Sequence, residues 1–137
     1  MAARVKSDVE ELRAVGRPVV IRGYLNKPAA EQAILDADYL LIPSRLESIP
    51  VVFSDAMKLG CAVVSMPTGD LPRLVTAKPA CGVLASAITS TAYAAALSQA
   101  LTCSAQVFDA GTRLRAAEFD LAGVAGRILM DGGNAGA

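Results

Sequence analysis

The stretch that decides the fold is Tyr39-Leu40-Leu41-Ile42-Pro43-Ser44-Arg45-Leu46-Glu47-Ser48-Ile49-Pro50-Val51-Val52-Phe53-Ser54-Asp55-Ala56-Met57-Lys58-Leu59-Gly60-Cys61-Ala62-Val63-Val64-Ser65. It opens on a short apolar run, 39–42, cut off by Pro43, and continues through a polar loop. A helical pattern follows over 50–59, with Val52, Phe53, Ala56 and Met57 on one face and Gly60 as the stop. Residues 61–65 then form a second apolar run. Two strands without polar alternation, joined by a helix, predict parallel strands covered on both faces.

The same alternation extends in both directions. Upstream, Ser7 suits an N-cap for a helix over 8–15, with Val9, Leu12 and Val15 on one stripe and Gly16 as the stop. Pro18-Val19-Val20-Ile21-Arg22, ended by Gly23, reads as a strand, and Pro28 fits the first turn of a helix over 29–36. Downstream, a short helix is expected over 70–75 and a strand over 82–84. Helices are expected over 90–101, 105–117 and 121–130. The Gly-rich residues 132–137 read as a flexible tail. The chain is thus one α/β domain over 1–131, a Rossmann-like parallel sheet with helices on both faces.

Composition narrows the function. The 137 residues are 53% hydrophobic but only 4% aromatic, without tryptophan, which disfavours a base-stacking platform. Thirteen basic residues balance thirteen acidic ones, so there is no electrostatic footprint for nucleic acid or an anionic membrane. No apolar run approaches the roughly 20 residues of a membrane span. The N-terminus lacks the apolar core of a signal peptide, and a cytoplasmic location is expected. The absence of histidine removes Ser-His-Asp and Cys-His nucleophiles and His-ligated zinc. Cys61, Cys81 and Cys103 make no CxxC and read as reduced, buried core residues.

Ligands of open parallel sheets bind beyond the carboxyl ends of the strands. Residues 43–50 are the densest such segment. A polar loop running into a helix N-terminus offers the N–H groups of Ser48, Ile49, Val51 and Val52 to an anion, but none from Pro50. Asp55 shares a helix face with Val51 and Lys58, away from Phe53 and Met57. Spacing leaves two readings of the acids. Glu47 and Asp55 bracket a polyol, or Glu47 is solvated and Asp55 pairs with Lys58.

Residues 43–64 resemble the donor-binding signature of GT-B glycosyltransferases of family 4, the glycosyl transferases group 1. That family reads P-S-x-x-E, then a second acid eight positions on, A-M, a glycine and a V-V strand. Val20-Ile21-Arg22-Gly23, Thr68-Gly69-Asp70-Leu71-Pro72, Cys81-Gly82-Val83-Leu84 and residues 119–130 resemble its flanking segments, in the same order. The resemblance implies a retaining glycosyltransferase that transfers a hexose from a nucleotide-diphosphate sugar, with no metal or other cofactor. It places Glu47 in the catalytic role, beside the transferred sugar, where a carboxylate stabilises positive charge at the anomeric carbon. It places Asp55 against the ribose hydroxyls, the backbone of Ser48, Ile49 and Val51 against the diphosphate, and Gly69 in the loop flanking the sugar.

Departures from the pattern are equally specific. Asp55 is one methylene shorter than the usual Glu, Pro50 stands at a common Gly, and Arg73 stands at a common Glu. The family's preceding strand, its Arg and Lys phosphate clamp and its N-terminal acceptor domain have no counterpart here. The expectation is therefore a truncated C-terminal half of a GT-B fold, inactive alone and prone to self-association through an open sheet edge. The alternative is a non-catalytic nucleotide-binding or protein-interaction module. Arg45 and Lys58 read equally as solvated charges or phosphate contacts. Tyr24 and Asn26 are expected to pack their loop, and Tyr39 and Tyr93 to lie in the core or on a helix surface.

Overall fold

A computed structural model describes residues 3–120. In order, the elements are α1 (Ala3–Ala14), α2 (Lys27–Leu35), β1 (Tyr39–Ile42), α3 (Val51–Lys58), β2 (Ala62–Ser65), α4 (Leu71–Thr76), β3 (Gly82–Leu84) and α5 (Ser90–Ala100). A 3-10 turn (Ala105–Phe108) then leads into α6 (Asp109–Glu118). The expected helix over 121–130, the tail over 132–137 and the domain boundary at 131 lie outside the described residues.

The three strands are parallel in the order β1-β2-β3, with Ile42, Ser65 and Leu84 in one cross-strand row. Alternation along each strand divides the core into two layers. On one face Leu40, Ile42, Val63 and Leu84 meet Ile34 of α2, Phe53 and Met57 of α3, and Leu71, Leu74 and Val75 of α4. On the other face Val64 and Val83 meet Tyr93, Ala96 and Ala100 of α5, with Phe108 behind them. Alanine on α5 permits a close approach to the sheet. The expected parallel sheet with helices on both faces is what the chain forms.

Phe53 and Phe119 meet edge to face with centroids 5.9 Å apart, tying α3 to the end of α6. Gly111 of α6 lies so close to the 80–81 backbone that an added Cβ would overlap the Ala80 carbonyl and lie 2.8 Å from the Cys81 amide nitrogen. Arg115, buried on the same helix, donates from Nε to the Leu74 carbonyl (2.9 Å) and from Nη2 to the Ala77 carbonyl (3.2 Å), and pairs with Glu118. It thereby satisfies carbonyls at the C-terminal end of α4 that the helix leaves open.

Four expectations change. Residues 17–23 form no strand: Val20 and Ile21 are exposed, and the segment is tied to α1 by Arg13 Nε donating to the Val19 carbonyl at 2.9 Å. A β-branched run becomes a strand only when a neighbour completes its ladder, and no described strand lies beside this one. Helix α1 starts at Ala3, so Ser7 sits inside it rather than at its cap, and none of its apolar stripe is buried. The predicted helix over 105–117 divides into the 3-10 turn, capped by Ser104, and α6. Cys61 and Cys81 are buried as expected, but Cys103 is exposed.

Candidate functional site

The parallel sheet puts the loops after Ile42 and Ser65 side by side, at the carboxyl ends of β1 and β2. The ladder runs on past the strand ends through Met66 N–H donating to the Ile42 carbonyl at 3.1 Å. The chain after β2 then turns sharply at Gly69, which has φ +52°. A Cβ there would overlap the Glu47 and Ser48 carbonyl oxygens and lie 2.8 Å from Ser48 Cα. Only glycine combines that left-handed conformation with so close an approach. Asp70 N–H donates to the Ser48 carbonyl at 3.2 Å and closes the clasp. Glu47, Ser48 and Gly69, three residues of the sequence-derived site, are therefore direct neighbours.

From this clasp the chain enters α3. Ile49 is half-buried and packs on the first core layer, which anchors the loop. Pro50 is the N-cap, in extended geometry, and gives no side-chain hydrogen bond to the helix. The first N–H groups of α3 thus have no side-chain acceptor and present the positive end of the helix dipole beside Glu47. Glu47 and Ser48 are exposed, and so is the Val51 side chain.

Asp55 lies one turn further along α3 and is half-buried. It lines a small open cleft of about 90 Å³ together with Lys27 and Glu31 of α2 and with Lys58 and Leu59. Asp55 and Lys58 do share a face, as their spacing implied. Glu47 is not among the residues lining this cleft. Arg45 is solvent-exposed.

Other residues near the site take places that the sequence reading did not assign to them. Lys27 and Glu31, paired at 3.8 Å, join Asp55 from a helix 24 positions upstream. Ser65 Oγ, in the last residue of β2, and Thr68 Oγ1, just beyond it, are buried without a hydrogen-bond partner among the described residues. Alternation puts Ser65 on the same face as Val63, toward α3 and α4. Tyr24 is almost fully exposed rather than packed in its loop. Asn26 is the N-cap of α2, its Oδ1 accepting from Ala29 N–H at 3.1 Å. The pattern Asn-Lys-Pro could have revealed that role.

The titratable groups with displaced pKa values lie away from this end of the sheet's first face. Burial pushes the Cys81 thiol up to about 11, partly opposed by the Arg115 guanidinium, and burial also raises Cys61. Tyr39 is pushed up to about 12 by burial and by its neighbour Cys103, 3.8 Å from its hydroxyl. Tyr93 is raised by burial, its hydroxyl donating to the Val64 carbonyl at 2.9 Å. These are structural hydroxyls and thiols.

The family model for glycosyl transferases group 1 matches residues 2–103, which contain the clasp, α3 and the cleft. The chain belongs to this family. A sulfoquinovosyl transferase of Arabidopsis thaliana is 33% identical over 70 residues, which is 51% of this chain and 14% of that protein. The group 1 chain thus spans a small part of the length of its curated relative. Its three-stranded parallel sheet flanked by helices agrees with a Rossmann-like half of the family's two-domain fold. Among the described residues, no helix is long and apolar enough to cross a membrane.

Proposed function

We propose that this chain is the sugar-nucleotide-binding part of a retaining glycosyltransferase, which transfers a hexose from a nucleotide-diphosphate sugar to an acceptor bound elsewhere. The observation that carries this reading is the clasp of Gly69 under the Glu47–Ser48 backbone at the open N-terminus of α3. It holds the Glu47–Ser48 backbone just before the N-terminus of α3, whose N-cap Pro50 gives the helix no side-chain hydrogen bond, with a second acid, Asp55, one turn into the helix.

In this reading the donor lies along α3. Its sugar sits by Glu47 and Gly69, where the carboxylate stabilises positive charge as the glycosidic bond to the diphosphate breaks. The leaving diphosphate meets the N–H groups of Ser48, Ile49 and Val51 and the helix dipole, an arrangement that requires no metal. Asp55 accepts hydrogen bonds from ribose hydroxyls.

The test is calorimetric titration of UDP, GDP and ADP, free and as their hexose conjugates, against wild type, Glu47→Ala and Asp55→Ala. Saturable binding is expected, with Asp55→Ala weakening every nucleotide about tenfold or more. Glu47→Ala should weaken only the sugar conjugates. Binding that ignores both substitutions removes the site assignment. Absence of binding to any of these compounds by the wild-type chain removes the functional reading itself.

A further inference from the structure

The outer edge of β1 presents a row of unused backbone hydrogen-bonding groups. Ile42 turns its carbonyl toward β2, where it accepts from Met66 N–H at 3.1 Å. Alternation along the strand therefore turns the N–H and C=O of Tyr39 and Leu41 the other way, and no described strand lies there. The strand Tyr39-Leu40-Leu41-Ile42 has neither a charge nor a proline to blunt that edge. Leu41, at its centre, is 45% exposed.

The side chains around this edge complement one another when one copy is reversed against another. Leu35, Asp36 and Asp38 stand before β1, Arg45 and Leu46 after it, and all five are exposed. Asp38 and Arg45 belong to no ion pair among the described residues. Asp36 accepts from Gln32 Nε2 at 2.8 Å through one carboxylate oxygen. One end of the strand is thus acidic and the other basic, each with an exposed leucine beside its charge. A second copy in the parallel sense sets acid against acid, whereas an antiparallel copy sets acid against base.

We infer that β1 pairs antiparallel with β1 of a second copy about a two-fold axis through Leu41, joining the two sheets into one, independently of the donor-binding reading. Leu41 exchanges both backbone hydrogen bonds with Leu41 of the other copy, because its groups are the ones that face outward. Tyr39 N–H donates to the Pro43 carbonyl of the other copy, a bond that asks nothing of the missing proline N–H. The same register sets Arg45 opposite Ala37, between Asp36 and Asp38, and brings Leu46 beside Leu35. Moving the axis to Leu40 sets Arg45 against Leu35 instead and separates the charges. The two-fold consumes both β1 edges, so pairing through them stops at the dimer. Arg45 is two residues before Glu47, and the second copy thereby borders the loop of the candidate site.

Sedimentation equilibrium of the full chain tests this on wild type, Leu41→Pro, Arg45→Asp and the double variant Asp36→Arg with Asp38→Arg. Proline at position 41 loses only an N–H that faces outward, so the ladder to β2 is kept. Unchanged far-UV circular dichroism verifies the fold of each variant. Wild type should reach twice the chain mass and no more. Leu41→Pro and each charge variant should weaken the dimer about tenfold or more. An equimolar mixture of Arg45→Asp with the double variant regains acid against base at both ends, and should dimerise about as tightly as wild type. A wild type that stays monomeric up to millimolar concentration overturns the inference, as does mass that grows past the dimer. So does a dimer indifferent to Leu41→Pro, or a mixture that associates no better than its two components alone.

Discussion

Replacing Gly69 by alanine strikes the contact that assembles the site. Two costs combine there. A left-handed backbone, φ +52°, costs a residue with a Cβ about 1–2 kcal/mol. The added carbon also overlaps the Glu47 and Ser48 carbonyls, which are backbone atoms and cannot rotate away. Relieving such overpacking costs about 1–3 kcal/mol more, for a total of roughly 2–5 kcal/mol. Gly60 supplies the internal control. It too is left-handed, φ +75°, at the end of α3, but an added Cβ there meets nothing within 4 Å. Gly60→Ala therefore bears the backbone cost alone. Urea denaturation followed by far-UV circular dichroism measures both variants, and their difference isolates the clasp at about 1–3 kcal/mol. Because the 44–50 loop must shift in Gly69→Ala, its nucleotide-sugar binding should fall more than that of Gly60→Ala. Equal destabilisation by the two substitutions would refute the claim that the two loops touch through Gly69.

Three further expectations follow from other parts of the fold. Gly111→Ala raises helix propensity by about 1 kcal/mol, yet its Cβ would overlap the Ala80 carbonyl at a cost of about 1–3 kcal/mol, so a net destabilisation of up to about 2 kcal/mol is expected; a stabilised variant in the same denaturation assay would contradict the packing of α6. Stability should fall as the pH rises above about 9, because the unfolded chain releases the Cys81 proton near 9 while the folded chain retains it to about 11, and Tyr39 repeats the effect from 10 to about 12. The Cys81 part is on the order of 1.4 kcal/mol per pH unit, so a Cys81→Ala profile as steep as wild type between pH 9 and 11 would count against it. The outer edge of β1 has no described neighbour, and Leu35, Leu41 and Leu46 are exposed around it, so static light scattering should show mass rising with concentration; a constant monomer mass from micromolar to millimolar would exclude it.

The sequence by itself determined the elements whose signals are local. The apolar runs at 39–42 and 61–65, the amphipathic face of α3 and the glycine stops at 16 and 60 all lie where their side chains dictate, because propensity, periodicity and φ freedom act within a few residues. Glu47, Ser48, Ile49, Val51, Asp55 and Gly69 were legible as candidate site residues because one continuous motif and its neighbouring loop carry them. What only the tertiary structure decided is pairing. Residues 17–23 have a strand's composition but no described strand to complete a ladder, so they form none, and Val20 and Ile21 stay exposed. Lys27 and Glu31 have no motif and reach Asp55 only because α2 packs beside α3. The need for glycine at 69, and the buried hydroxyls of Ser65 and Thr68, likewise arise between segments distant in the chain. Local chemistry fixed which residues are candidates for a site, and non-local packing fixed which of them stand together, since a contact between loops has no period along the sequence by which to be read.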